Sequence, residues 1–244
     1  MKMAFGMLVP SSFAYTAIKN RAEGTLPNSL FNVIKLTVAK ESTSFQAKHL
    51  PAVHQGVEEA SQTRRYYSAI KECAKHAREK VHIKQLLEGI HDQKTGEEVA
   101  EAVPTIRSMV QRIAVRCGTV GLNLHIDAVY AATDSLTRAR IAYLRCEAAR
   151  IVITGGKGSQ SIWACVDKQL SFMRLRKDDD AYAIAFYQII FDEDCKYFDG
   201  DTYFQDLKQR KINLDLPTVE AVMARVAHNA ANPQGAPNPN PTAL

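Results

Sequence analysis

Apolar residues recur at helical spacing over most of the middle of this chain. Between residues 58 and 90, Tyr67, Ile70, Ala74, Ala77, Val81, Ile83, Leu86, Leu87 and Ile90 fall near a 3.6-residue period. Glu72 and Glu79 lie near Lys75, Arg78 and Lys80 on the opposite face. Pro104 stands where a first helical turn tolerates proline and opens a helix to about Cys117, which the glycines at 118 and 121 break. Residues 124–152 are the longest uninterrupted helical candidate, with Ile126, Val129, Tyr130, Leu136, Ile141, Leu144, Ala148 and Ile151 in period. Further helices fit residues 161–175, 181–191, 202–208 and 217–228.

The two ends read differently. Residues 1–30 mix apolar and turn residues (Pro10, Ser11, Ser12, Gly24, Pro27, Asn28) without a steady period. Residues 30–39, Leu-Phe-Asn-Val-Ile-Lys-Leu-Thr-Val-Ala, are rich in β-branched side chains with partial alternation and form the best strand candidate. A lone strand needs another edge, such as one on a neighbouring copy. Residues 229–244 hold four Pro, four Asn and one Gly and predict an extended tail. The expected fold is mainly α: a single helical core over 41–228, an N-terminal arm over 1–40 with a short β-strand at 30–39, and a Pro/Asn-rich tail over 229–244.

Composition narrows the class. With 244 residues, 46% hydrophobic and 23% charged, the chain can bury a globular core. No run of apolar residues reaches membrane-spanning length, so no membrane partner is expected. The apolar start is interrupted by Gly6 and Pro10 and belongs to the arm rather than to a signal peptide. Five widely spaced cysteines without a Cys-x-x-Cys pair predict free, mostly buried thiols. His76 and His82 are not at metal-ligand spacing, and no metal or cofactor is expected. In Gly155-Gly156-Lys157-Gly158-Ser159, Gly158 separates Lys from Ser and a helical pattern precedes it, so a helix connector fits better than a phosphate loop. No Gly-x-Ser-x-Gly elbow occurs, and a non-enzymatic role is favoured.

Charge is sorted along the chain. Residues 1–177 carry 26 Lys+Arg against 15 Asp+Glu, and residues 178–244 carry 5 against 11. The excess is densest over 104–177, where nine arginines and three lysines meet four acids. Arginine's planar fork suits phosphate oxygens, so Arg107, Arg112, Arg116 and Arg174 join the candidates for backbone contacts to a polyanion. The absence of a recognisable base-reading module favours backbone over base recognition. Such a surface beside an acidic one also suggests self-association.

The segment Ser135-Leu136-Thr137-Arg138-Ala139-Arg140-Ile141-Ala142 resembles the Arg-Ala-Arg helix in coat proteins of flexible filamentous plant RNA viruses, the potexvirus and potyvirus-like superfamily. The order of flanking features is similar: Ala102-Val103-Pro104 before a basic helix, Trp163 downstream, the aromatic-acidic stretch from Tyr182 through Phe191-Asp192, and a Pro-rich end. The likeness covers about residues 100–195. It implies a helical core that holds single-stranded RNA in a groove around a Ser, an Arg and an Asp, with the N-terminal arm gripping the adjacent subunit. Carried over, Arg140 is the groove arginine with Arg138 as its alternative, and Ser108 is the serine with Ser135 second. Phe186 is followed by Tyr187 rather than Asp, so the acid falls to the run Asp178-Asp179-Asp180 or to Asp192. Tyr143 and Tyr182 are candidate platforms for a stacked base.

The expected function is a coat protein that polymerises into a helical filament on genomic RNA, in the virion and the host cell cytoplasm. The alternative is a non-viral basic helical adaptor for an acidic protein or membrane surface. A third reading is an enzyme acting on a phosphorylated substrate through Lys157 and the Asp cluster.

Overall fold

The computed structural model describes residues 30–50, 53–54, 57–58, 60–81, 86, 88–90, 101–116, 123–154, 162–174 and 180–232. Among them the chain is mainly helical, as the periodicity predicts. In chain order the helices are α1 (Leu30–Val38), α2 (Thr43–His49), α3 (Ala60–Val81), α4 (Ile106–Arg116) and α5 (Ile126–Ala132), then α6 (Ser135–Ile153), α7 (Ile162–Arg174), α8 (Asp180–Tyr197), α9 (Phe204–Gln209) and α10 (Val219–Ala231). Between α2 and α3, β1 (Val53–His54) and β2 (Val57–Glu58) pair antiparallel, with Val53 opposite Glu58 and His54 opposite Val57. That hairpin interrupts the helical core expected over 41–228.

Helix α6 is the axis of the core. Every residue from Ile141 to Ala149 is buried, including Arg145 and Glu147. Helix α8 packs along it through Tyr182, Ala185, Phe186 and Ile190, and covers α10 with its other side. Helices α7 and α4 close two further sides, and α5 lies on α4. At the α4 end, Val103 N donates to the Thr202 carbonyl (3.1 Å), and Ala102 bridges Tyr203. Gly89 turns there at φ 72°, where a Cβ would meet the Ala102 carbonyl oxygen at 2.8 Å; only glycine fits so close an approach.

Helix α3 ends at Val81 and residues 88–90 are a turn, short of the helical pattern read to residue 90, and α8 runs past the expected end at 191 to Tyr197. Three further differences from expectation have identifiable reasons. Residues 30–38 are a helix, not a strand. Alternation would put Ile34, Leu36 and Val38 on one face, yet Leu36 is 58% exposed while Ile34, Thr37 and Val38 are half-buried. The spacing 34/37/38 is that of a helix face, and α1 packs it against α3, with Lys35 Nζ donating to the Tyr67 hydroxyl at 3.0 Å. Packing against a partner helix outweighs the β preference of the branched residues. Residues 124–152 are two helices, because Asp134 caps the second: Thr137 N and the Thr137 hydroxyl donate to its carboxylate at 2.8 and 2.6 Å. Helix α10 runs on to Ala231, so the first residues assigned to the C-terminal tail are helical. Residues 1–29 of the expected arm, the Gly155–Ser159 connector and residues 233–244 lie outside the described residues. Cys146 is buried as expected, but Cys73 and Cys195 are exposed.

Candidate nucleic-acid interface

A groove of about 810 Å³ is walled by the first turns of α6, one stripe of α8 and the last turns of α10. The α8 stripe is Ile184, Tyr187, Gln188, Phe191 and Asp192, and the α10 stripe is Arg225, His228 and Asn229, followed by Asn232. Both follow the i, i+3, i+4, i+7 pattern of a single helix face. Two contacts tie the walls: both terminal nitrogens of Arg225 donate to Asp192 Oδ2 at 2.9 Å, and Asn229 Nδ2 donates to Gln188 Oε1 at 2.7 Å. Apolar Leu136, Ala139, Ile184 and Phe191 meet a rim in which Arg138, Arg225 and His228 face one acid, Asp192. Such a groove can take an anion with a flat apolar part.

Of the expected site residues, Ser135, Arg138 and Asp192 come together here. Arg138 donates from Nε to the Thr133 carbonyl at 2.8 Å, and its Cζ stands 4.0 Å from the centroid of the Tyr130 ring. Arg140 is not on the groove wall. It lies within electrostatic reach of the Tyr187 hydroxyl and the Asp134 carboxylate, and its buried Nε has no hydrogen-bond partner among the described residues. Burial works against the Asp134 carboxylate, but the Thr137 hydrogen bonds and the Arg140 charge hold it below the ordinary carboxylate range. The arginine on the wall is therefore Arg138, the alternative, and among the described residues an acid within electrostatic reach of Arg140 is Asp134; Asp178 and Asp179 lie outside the described residues. Asp192 is taken up by Arg225.

The remaining candidates lie elsewhere. Ser108 and Arg112 line a separate cleft of about 290 Å³ with Glu88 and Glu101, so Ser108 does not share a site with Arg138 or Arg140. Arg112 is ion-paired to Glu88, and Arg107 to Asp127, with the Arg107 Cζ 4.8 Å from the Tyr130 centroid. Arg116 is exposed at the end of α4. Arg174 ends α7, and Asp180 is exposed at the start of α8. Asp179 lies outside the described residues. Tyr143 and Tyr182 are each 2% exposed and cannot stack a base. Tyr143 instead meets Phe186 and Tyr187 edge-on at 5.9 and 6.2 Å.

The fold also pairs arginines that linear charge counting left unmatched. Arg145 is fully buried, with Nε donating to Asp194 Oδ1 at 2.8 Å, Nη2 to Asp194 Oδ2 and Nη1 to the Pro104 carbonyl. Its Cζ stands 4.5 Å from the Phe198 centroid. Arg150 pairs with buried Glu147 at 2.6 Å. Asp194 follows core residue Ile190 by one helical turn, and Arg145 sits between Leu144 and Cys146 in an apolar run. Those placements were the available signal. Burial, reinforced by the Glu147 and Asp194 carboxylates, pushes the Cys146 thiol up to about 12, so it stays protonated.

No family model matches the chain, and neither the curated proteins nor the solved structures contain a match to it. Among the described residues no helix is long and apolar enough to cross a membrane, and no group of His, Cys, Asp and Glu is placed to hold a metal.

Proposed function

We propose that this chain is a viral coat protein that polymerises helically on single-stranded RNA, with the α6–α8–α10 groove as its RNA contact. The observation that carries the reading is the groove at the start of the Arg-Ala-Arg helix. It holds Arg138 on its wall, with no carboxylate bonded to that guanidinium among the described residues, beside an apolar floor. This is the segment that resembles the coat proteins of flexible filamentous plant RNA viruses. The mainly helical fold supports the same reading, and Arg107, Arg112, Arg145 and Arg150 are paired to carboxylates whereas Arg138 has no such pair among the described residues. RNA would be held through its phosphates without strong sequence preference. Virion and host cytoplasm are the places where such a protein acts.

Electron microscopy of the purified full chain with and without single-stranded RNA tests this. Regular filaments containing nuclease-protected RNA are expected. Monodisperse particles that retain no RNA overturn the reading and turn attention to the adaptor alternative.

A further inference from the structure

A long guanidinium side chain on a groove wall normally loses rotamer freedom when a phosphate orders it. Arg138 is ordered beforehand, and the last turn of α5 does the ordering. Thr133 supplies the carbonyl that accepts from Arg138 Nε at 2.8 Å, and Tyr130 supplies the ring beneath the guanidinium at 4.0 Å. That turn is itself fixed: the Thr133 hydroxyl donates to the Val129 carbonyl at 2.8 Å, and Thr133 N donates to the Tyr130 carbonyl at 3.2 Å. The same ring carries Arg107 at 4.8 Å, whose charge Asp127 neutralises. Of the two guanidiniums on Tyr130, only Arg138 is without a carboxylate partner among the described residues, and it lines the groove.

We infer that Tyr130 is a positioning residue for phosphate binding: its ring and the Thr133 carbonyl hold Arg138 so that its two terminal amino groups meet a nucleic-acid phosphate as a preset fork. A carbonyl and a ring fix a guanidinium without cancelling its charge, whereas a carboxylate would do both. The inference rests on the reading of the groove as an RNA contact.

The test measures binding of a fluorescent single-stranded oligouridine to the full chain across a salt series. Arg138→Gln should weaken binding about 10-fold and lower the slope of log affinity against log salt by about 1. Tyr130→Leu should weaken it about 3- to 10-fold, while Tyr130→Phe, which keeps the ring, stays within about 2-fold of wild type. In the Arg138→Gln background, Tyr130→Leu should change affinity less than about 2-fold, because its effect passes through Arg138. That last comparison also separates positioning from any general loosening of α5, which would weaken binding in both backgrounds. Additive losses, or a Tyr130→Leu protein that binds like wild type, overturn the positioning role while leaving the RNA contact standing. A wild-type chain that does not bind the oligouridine overturns both.

Discussion

Two arginines on one helix meet opposite fates. Arg138 and Arg145 lie seven residues apart on α6, close to two full turns, and so leave the helix in similar directions. Arg145 is sealed in the core by a bidentate carboxylate, a backbone carbonyl and the Phe198 ring. Arg138, at the groove, has a carbonyl and the Tyr130 ring but no carboxylate among the described residues. The first is a structural clamp between α6, α8 and the segment entering α4. The second is a charge held ready at a surface. A count of basic residues treats the two alike, although only one keeps a positive charge that a partner can use.

Removing the acid from the buried clamp should do the most damage. Asp194→Ala strands a fully buried guanidinium and should cost about 3–5 kcal/mol, read as a lower urea midpoint. Replacing both partners, Arg145→Met with Asp194→Leu, should recover most of that loss, since no charge is then left unpaired. If Asp194→Ala unfolds within about 1 kcal/mol of wild type, the clamp does not hold the core.

A smaller effect sits at the other end of α6. Asp134→Ala should cost about 1 kcal/mol through loss of the helix cap. The Asp134 carboxylate titrates below its ordinary value in the folded chain, so its contribution is present above about pH 4. It is lost as pH falls through the lowered folded value. The stability gap between wild type and Asp134→Ala should therefore be full at neutral pH and close in acid, as followed by thermal melts over a pH series. A gap that persists unchanged in acid argues against the ionised cap.

The smallest effects belong to the exposed pairs of α4. Arg107→Gln and Arg112→Gln should each shift stability by less than about 0.5 kcal/mol, because solvent screens their ion pairs with Asp127 and Glu88. Melting temperatures close to wild type are the expected result. A loss like that of Asp194→Ala would erase the distinction between surface and buried arginine pairs.

Much of the architecture was legible in the residues. The 3.6 period locates α4 and α7 to within a few residues and the start of α8, though α8 runs six residues past the expected end, and the Thr-Asp-Ser sequence at 133–135 carries a cap signal inside an otherwise continuous helical pattern. The groove is partly legible: the sequence points to Ser135, Arg138 and Asp192 but not to Arg225 and Asn229, although these two share a stripe on α10. Ser108 and Arg140, which the resemblance implies for an RNA groove, do not line the α6–α8–α10 groove.

Periodicity and capping act between residues a few positions apart, so the helical character of the core and its arginine-rich middle can be read directly from the chain. Which arginines pair with carboxylates depends on the fold. The partners that neutralise Arg107, Arg112 and Arg145 come from residues 20, 24 and 49 positions away, on other segments of the chain. The same holds for α1, whose branched residues favour a strand when taken alone and become a helix against α3. Charge pairing and helix packing are contacts in space, and linear order does not record them.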